Sequence, residues 1–225
     1  MGIQERKERE KEQRREDILN AAEKVFWEKG LAPATMDEIA EKAELGKSTL
    51  YLYYKSKEDL YLAVTMRGGD IMVQMFEQAT STGEPTVKLI WNLGEAYYEY
   101  FRQYRNYFRM YYFLENAQLH SQVSPEMQEL CLHHDEKTWK VVIDLIRRGI
   151  QEGVLRADLD PVQAAVMLWS NANGLMRQID RADGYWKEQM HINLEDTLRT
   201  SNSLLVRGMM SETGLRDYGT FPGPR

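Results

Sequence analysis

The sequence predicts an all-α fold, an N-terminal three-helix helix-turn-helix domain followed by a larger C-terminal helical bundle. Three observations carry this. Apolar residues recur at intervals of three and four along nearly all of the 225 residues, as in helices with one buried face. No segment of useful length alternates with period two, as a half-buried strand does. Finally, two short helical patterns near the N-terminus are separated by a three-residue break containing glycine, whereas the patterns beyond residue 60 are long.

The elements follow in order. Residues 4–17 mix both charge signs without an apolar stripe, so residues 1–14 read as a charged tail or an exposed helical extension. From Ile18, the positions Ile18, Leu19, Ala22, Val25 and Phe26 keep helical spacing, and Gly30 is a natural stop. Thr35-Met-Asp-Glu38 reads as a capping box, and the helix it opens buries Ile39, Ala40 and Ala43. Glu44-Leu45-Gly46 breaks the chain before a second short helix from Lys47 to about Tyr54. Ser56 caps a longer helix whose Glu58 and Asp59 suit the positive end of the dipole. Gly83-Glu-Pro85 marks a turn with proline at the first helical position, and the helix it opens runs to about Arg102. Further helices are predicted over roughly 106–119, from Ser124-Pro125 to near Gly153, from Asp160-Pro161 to about Arg181, and from Leu194 to Met210. Gly219, Pro222, Gly223 and Pro224 suggest a flexible tail over 213–225. The domain expectation is therefore 1–60 for the helix-turn-helix, 61–212 for the bundle, then the tail.

Composition narrows the function classes. Hydrophobic residues make up 43% and charged residues 28% of the chain, as in a soluble globular protein. The single cysteine, Cys131, offers no intrachain disulfide. No stretch approaches the ~20 apolar residues needed to span a bilayer. The charged N-terminus lacks the apolar core of a signal peptide, so a cytoplasmic location is expected. The net charge of −6 speaks against nucleic acid only as an average. The first 57 residues carry 12 basic and 12 acidic side chains, and the remaining 168 carry 17 and 23. Between Leu45 and Lys57 there are three lysines and no acid.

That basic stretch coincides with the helix-turn-helix spacing of residues 37–54, in which the second helix enters the DNA major groove. Leu50 and Tyr54, four apart, pack inward with Leu45, leaving Lys47, Ser48, Thr49, Tyr51 and Tyr53 outward. Hydroxyls and an ammonium at a helix start reach base edges, and tyrosine hydroxyls bond phosphates. Any isolated pair of these residues is explained by packing or solvation; the ordered set, with agreeing caps, spacing and charge, is not.

The motifs Ile18-Leu-x-Ala-Ala22, Phe26 and Gly30, then Thr35-Met-x-x-Ile39-Ala40-x-x-Ala43, then Lys47-x-Thr-Leu-Tyr-x-Tyr-Tyr-Lys-Ser-Lys-Glu-Asp-Leu60 resemble the N-terminal domain of the tetracycline-repressor (TetR/AcrR) family over about residues 14–62. The resemblance implies a homodimeric transcriptional regulator, usually a repressor, whose C-terminal helical domain binds a small molecule and so releases the operator. It implies base contacts from Lys47, Ser48 and Thr49, and phosphate contacts from Thr35, Tyr51, Tyr53 and Lys57, with Lys55 a further one. It also implies a dimer interface through the last two long helices; the spacing of Leu194, Leu198, Leu205 and Met209 suits that and core packing equally. Two positions depart from the family pattern. Gly46 replaces a capping serine, and Glu44 replaces a turn glycine and adds a negative charge near DNA.

Other constellations carry less. Gly46-Lys47-Ser48-Thr49 ends like a phosphate-binding loop, but Glu41 stands where that motif needs glycine and no strand precedes it. No Gly-x-Ser-x-Gly element is present. Cys131, His133, His134 and Asp135 cluster with His120 upstream, yet lack a defined ligand set, and solvated or hydrogen-bonded histidines are the simpler account. No metal and no cofactor are assigned.

Ten of the seventeen residues from Tyr97 to Phe113 are aromatic. Most suit a core, but ten exceed one buried stripe, and Arg102, Arg105 and Arg109 run beside them. This fits a largely apolar cavity with a few polar anchors. The candidate effector-binding residues are Trp91, Phe108, Arg109, Tyr111, Tyr112, Trp139, Trp169 and Asn173, with Asn171 and Asn173 suiting a cavity wall or a subunit contact equally. The expected ligand is a small aromatic or long-chain apolar effector, with or without an acidic group. The expected partners are a near-palindromic double-stranded DNA operator, that effector and a second copy of the chain, with no membrane. The alternative is a helical-bundle enzyme or carrier using the cavity directly; no paired carboxylates or activated nucleophile support it.

Overall fold

The computed structural model describes residues 2–113 and 122–219, apart from the side chains of Ile3, Tyr112, Phe113 and Asp183. Ten helices are present among them: α1 (Ile3–Lys29), α2 (Met36–Lys42), α3 (Lys47–Tyr53), α4 (Lys57–Thr80), α5 (Thr86–Gln103), α6 (Arg105–Phe113), α7 (Pro125–Gln151), α8 (Pro161–Gln189), α9 (Leu194–Met209) and α10 (Glu212–Tyr218). No strand occurs among the described residues; one isolated bridge joins Leu155 and Met210. The fold is all-α, as the apolar spacing predicts.

Contacts group the helices into two compact units, residues 1–70 with 104–135 and residues 71–103 with 136–225. In the first, α1 runs unbroken, so its charged N-terminal stretch is an exposed helical extension, carried by pairs such as Arg6–Glu10. Ile18, Leu19, Ala22, Val25 and Phe26 are all buried. The ring of Phe26 meets Tyr61 edge-on at 5.1 Å, and the Tyr61 hydroxyl donates to the Met110 carbonyl at 3.2 Å. Gly30 ends α1 in the left-handed region at φ 77°.

In the second unit, α5, α8 and α9 pack together. Asp160 caps α8 by accepting from the amides of Val162 and Gln163 at 2.9 and 2.8 Å, with Pro161 behind it. Non-helical backbone at Ala182 kinks α8, one residue past its predicted end. Pro85 stands just before α5 and not as its first helical residue.

The largest difference from expectation lies at the C-terminus, where Glu212–Tyr218 form a helix and not a loose tail. The Ser211 hydroxyl accepts from Gly214 N at 3.0 Å and donates to the Gly153 carbonyl at 2.6 Å, so one side chain caps α10 and fastens it to the turn after α7. Gly214, which reads as a breaker, is buried with no room for a side chain: a Cβ there would lie 2.1 Å from the Val154 carbonyl oxygen.

Candidate functional site

In the first unit α2 and α3 form the helix-turn-helix. The capping box at Thr35 forms as its spacing requires: Glu38 N donates to the Thr35 hydroxyl at 3.3 Å and Thr35 N to the Glu38 carboxylate at 3.2 Å. An ion pair with Lys29 holds the Glu38 carboxyl below the usual carboxylate range. Leu50 is fully buried and Tyr54 nearly so, its hydroxyl pushed up to about 12 by burial. On a helix of 3.6 residues per turn this single anchoring face turns Ser48 and Leu52 outward.

Glu44 takes up the turn at φ 56°, a left-handed conformation that favours glycine over other residues. The glutamate therefore keeps the turn that its departure from the family pattern put in question. Gly46 caps α3 without a side-chain hydrogen bond.

Thr35, Lys47, Tyr51, Lys55 and Lys57 line one open concavity with Asp37, Ser56 and Glu58. Five of the eight predicted DNA-contacting residues thus converge, from the starts of α2 and α4, from α3 and from the link between α3 and α4. Ser48 is exposed and Thr49 and Tyr53 half-exposed beside them on α3.

The three lysines are not unopposed. Lys47 Nζ lies 2.6 Å from Asp37, which raises its pKa above the ordinary lysine value. Lys55 pairs with Glu126 at 2.8 Å and lowers that carboxyl. The Lys57 ammonium donates to the carbonyls of Leu31, Ala32 and Ala34 at 2.9–3.1 Å. The first two pairs are exposed, hence weak and screened by salt. Lys57 is different: its three protons are directed at backbone, stapling the start of α4 to the turn that carries Thr35. Asp37, Glu126 and Leu52 escape notice in the sequence. The carboxylates are separated from their lysines along the chain, and Leu52, 84% exposed, is an apolar residue on the outermost face of α3.

The second unit contains a narrow, partly open cleft walled by side chains such as Phe76, Ile90, Trp91, Tyr97, Leu168 and Trp169. Trp139 lies against Trp169 with ring centroids 5.6 Å apart. The buried Asn173 accepts a 2.7 Å hydrogen bond from the Tyr97 hydroxyl and so braces a wall residue. Asn171 donates to Ser201 and Asn202 at 3.0 and 3.1 Å. Phe108, Arg109 and Tyr111 lie on α6 in the first unit, Phe108 buried and Arg109 exposed, and none of them lines the cleft. The Tyr112 side chain is outside the described residues. A break at Tyr104 divides the aromatic run between α5 and α6, so the helical stripe read through it is not one wall.

Cys131 lies 3.8 Å from the Met66 sulfur, and His134 Nε2 lies 3.2 Å from Asp70. Among the described residues no three His, Cys, Asp or Glu side chains gather as a metal site would require; His120 lies outside them. Burial, with Asp135 and Asp59 nearby, pushes the Cys131 thiol up to about 11. No helix among the described residues is long and apolar enough to cross a membrane.

On α9, Leu194, Leu198 and Met209 are buried within the unit, so that spacing belongs to its core. Exposed apolar side chains lie elsewhere, at Val162, Val166 and Met167 of α8 and Leu204 of α9.

Residues 18–64 match the profile of bacterial regulatory proteins, tetR family. The chain is 37% identical over 90 residues to the HTH-type transcriptional activator FasR of Mycolicibacterium smegmatis, covering 40% of this chain and 41% of FasR. It is 26% identical over 147 residues to the HTH-type transcriptional repressor KstR2 of the same species, covering 65% of this chain and 70% of KstR2. The crystal structure of the transcriptional regulator FadR from Bacillus subtilis, in complex with stearoyl-CoA, superposes with a TM-score of 0.64 at 18% identity, over 86% of this chain and 98% of that one. This last likeness is one of fold. Both sequence relatives are regulators of transcription, one an activator and the other a repressor.

Proposed function

Because the chain belongs, through residues 18–64, to the tetR family of bacterial regulatory proteins, we propose that it is a homodimeric, ligand-responsive transcriptional repressor. It binds a near-palindromic operator through α3 and leaves it when a small apolar effector fills the cleft walled by Trp91 and Trp169. The observation that carries the DNA reading is the convergence of Thr35, Lys47, Tyr51, Lys55 and Lys57 on one open surface. Lys47, Ser48 and Thr49 read base edges at the start of α3; Thr35, Tyr51, Tyr53 and Lys55 hold phosphates. The Thr35 hydroxyl oxygen accepts from Glu38, which leaves its proton to give to a phosphate. Lys57 serves chiefly by holding the turn beneath them.

For the C-terminal part, residues 61–212 are proposed to hold effector and partner. The exposed side chains of Val162, Val166, Met167 and Leu204 supply an apolar face on the last two long helices, as an isologous two-fold contact requires. FadR in complex with stearoyl-CoA supports a long-chain ligand for this fold. An effector releases the operator only if it binds the operator-free form of the dimer more tightly, by the factor it subtracts from DNA affinity.

A gel-shift titration on the DNA upstream of the chain's own gene, over a range of salt, tests this. Lys47→Ala is expected to lower discrimination between operator and unrelated DNA, whereas Lys55→Ala weakens both alike and lowers the salt slope by about one. An unchanged sequence preference in Lys47→Ala would remove α3 from base reading.

A further inference from the structure

Resting on the reading of the cleft as the effector site, we infer that it takes its ligand uncharged: a hydrocarbon chain or ring with a neutral head, and a carboxylic acid only in its protonated form. The walls come from α4, α5, α7, α8 and α9 and are aromatic and aliphatic. No lysine, arginine or histidine is among the described residues lining them, and the one carboxylate is Glu95. Glu95 is already engaged by Arg199, whose Nε lies 3.4 Å away and whose guanidinium sits 5.4 Å over the Tyr98 ring. Two polar groups along the walls have partners within the unit: the Tyr97 hydroxyl donates to Asn173, and the Asn202 carbonyl oxygen accepts from Asn171. The arginines that run beside the aromatic stretch in the sequence, Arg102, Arg105 and Arg109, do not line the cleft.

An ionised carboxylate entering this space gives up its water and meets no cation among the described lining residues, and the Glu95–Arg199 pair leaves no net positive charge to replace that water. Such a group neutralises in preference to being buried charged. The acid is therefore bound as its protonated minority species. At pH values above the acid's own pKa that species falls tenfold with each pH unit, and apparent affinity falls with it. Between pH 6 and pH 8 the loss is about a hundredfold. An ester of the same chain has no proton to lose and binds equally at both.

The test uses the full chain and quenching of its tryptophan fluorescence, since Trp91 and Trp169 lie in the wall. Myristic acid, its methyl ester and tetradecylamine are titrated at pH 6, 7 and 8. The expected result is a pH-independent Kd for the ester, a Kd for the acid that rises about tenfold per pH unit, and an amine that binds more weakly than the ester. Glu95→Gln is expected to keep the acid's slope, because the proton belongs to the ligand. Acid binding at pH 8 as tight as that of the ester overturns the inference, as does a slope that vanishes in Glu95→Gln or an amine that binds more tightly than the ester. If none of the three ligands binds at any pH, or if Ala172→Phe, which fills the cleft, leaves ester binding unchanged, the effector reading itself fails and takes the inference with it.

Discussion

Glu44 sits in a left-handed turn where a residue with a Cβ is strained. The left-handed conformation costs such a residue about 1–2 kcal/mol, partly offset in glycine by its larger chain entropy. Glu44→Gly is therefore expected to raise stability by about 0.5–1 kcal/mol, read as a higher denaturant midpoint. Removing a negative charge beside α3 should tighten DNA binding at the same time. Lys57 is separable from its neighbours by the same two measurements. Lys57→Ala, which releases three carbonyls around residue 32, is expected to lower both stability and DNA affinity. Lys55→Ala, which loses only an exposed pair with Glu126, should lower affinity alone. Equal stability of the two variants would return Lys57 to a role on phosphate.

Among the elements, local signals located most helices because caps and apolar spacing act within a few residues. The Thr35 and Asp160 caps, the Gly30 stop and the buried face of α1 stand where propensity and periodicity put them. The short α10 shows the opposite case. The glycines and prolines that follow it read as a tail, yet Ser211 and the turn after α7 hold it in place. Gly214→Ala tests that docking. A methyl group driven against the Val154 carbonyl is expected to cost about 1–3 kcal/mol, as overpacking does, visible as a lower Tm with the helix-turn-helix unit intact. An unchanged Tm would mean α10 does not need this packing.

Across the whole molecule, the charge of −6 divides into a neutral N-terminal part and an acidic remainder, but the basic patch inside the former is smaller than its lysines suggest. Asp37 and Glu126 stand on Lys47 and Lys55, so binding to DNA of arbitrary sequence should be weak, with operator contacts supplying the affinity. Assembly is tested at this scale as well. Replacing Val166 and Leu204 together by Asp is expected to give a monomer by light scattering, with helical content retained and operator binding lost, because one recognition helix reads only a half-site. A dimer that survives the double substitution would move the interface elsewhere.

The fold class and the helix-turn-helix follow from the sequence, because capping, periodicity and turn chemistry are local interactions that neighbouring residues settle among themselves. Tertiary structure alone decided which charges face each other and which aromatics share a cavity. Lys55 meets Glu126, and Trp91 and Trp169 line one cleft, across long stretches of chain. The run from Tyr97 to Phe113, continuous in sequence, is divided by the break at Tyr104. Spacing along one helix states which residues share a face; what that face meets depends on packing between helices, and no short window of sequence contains it.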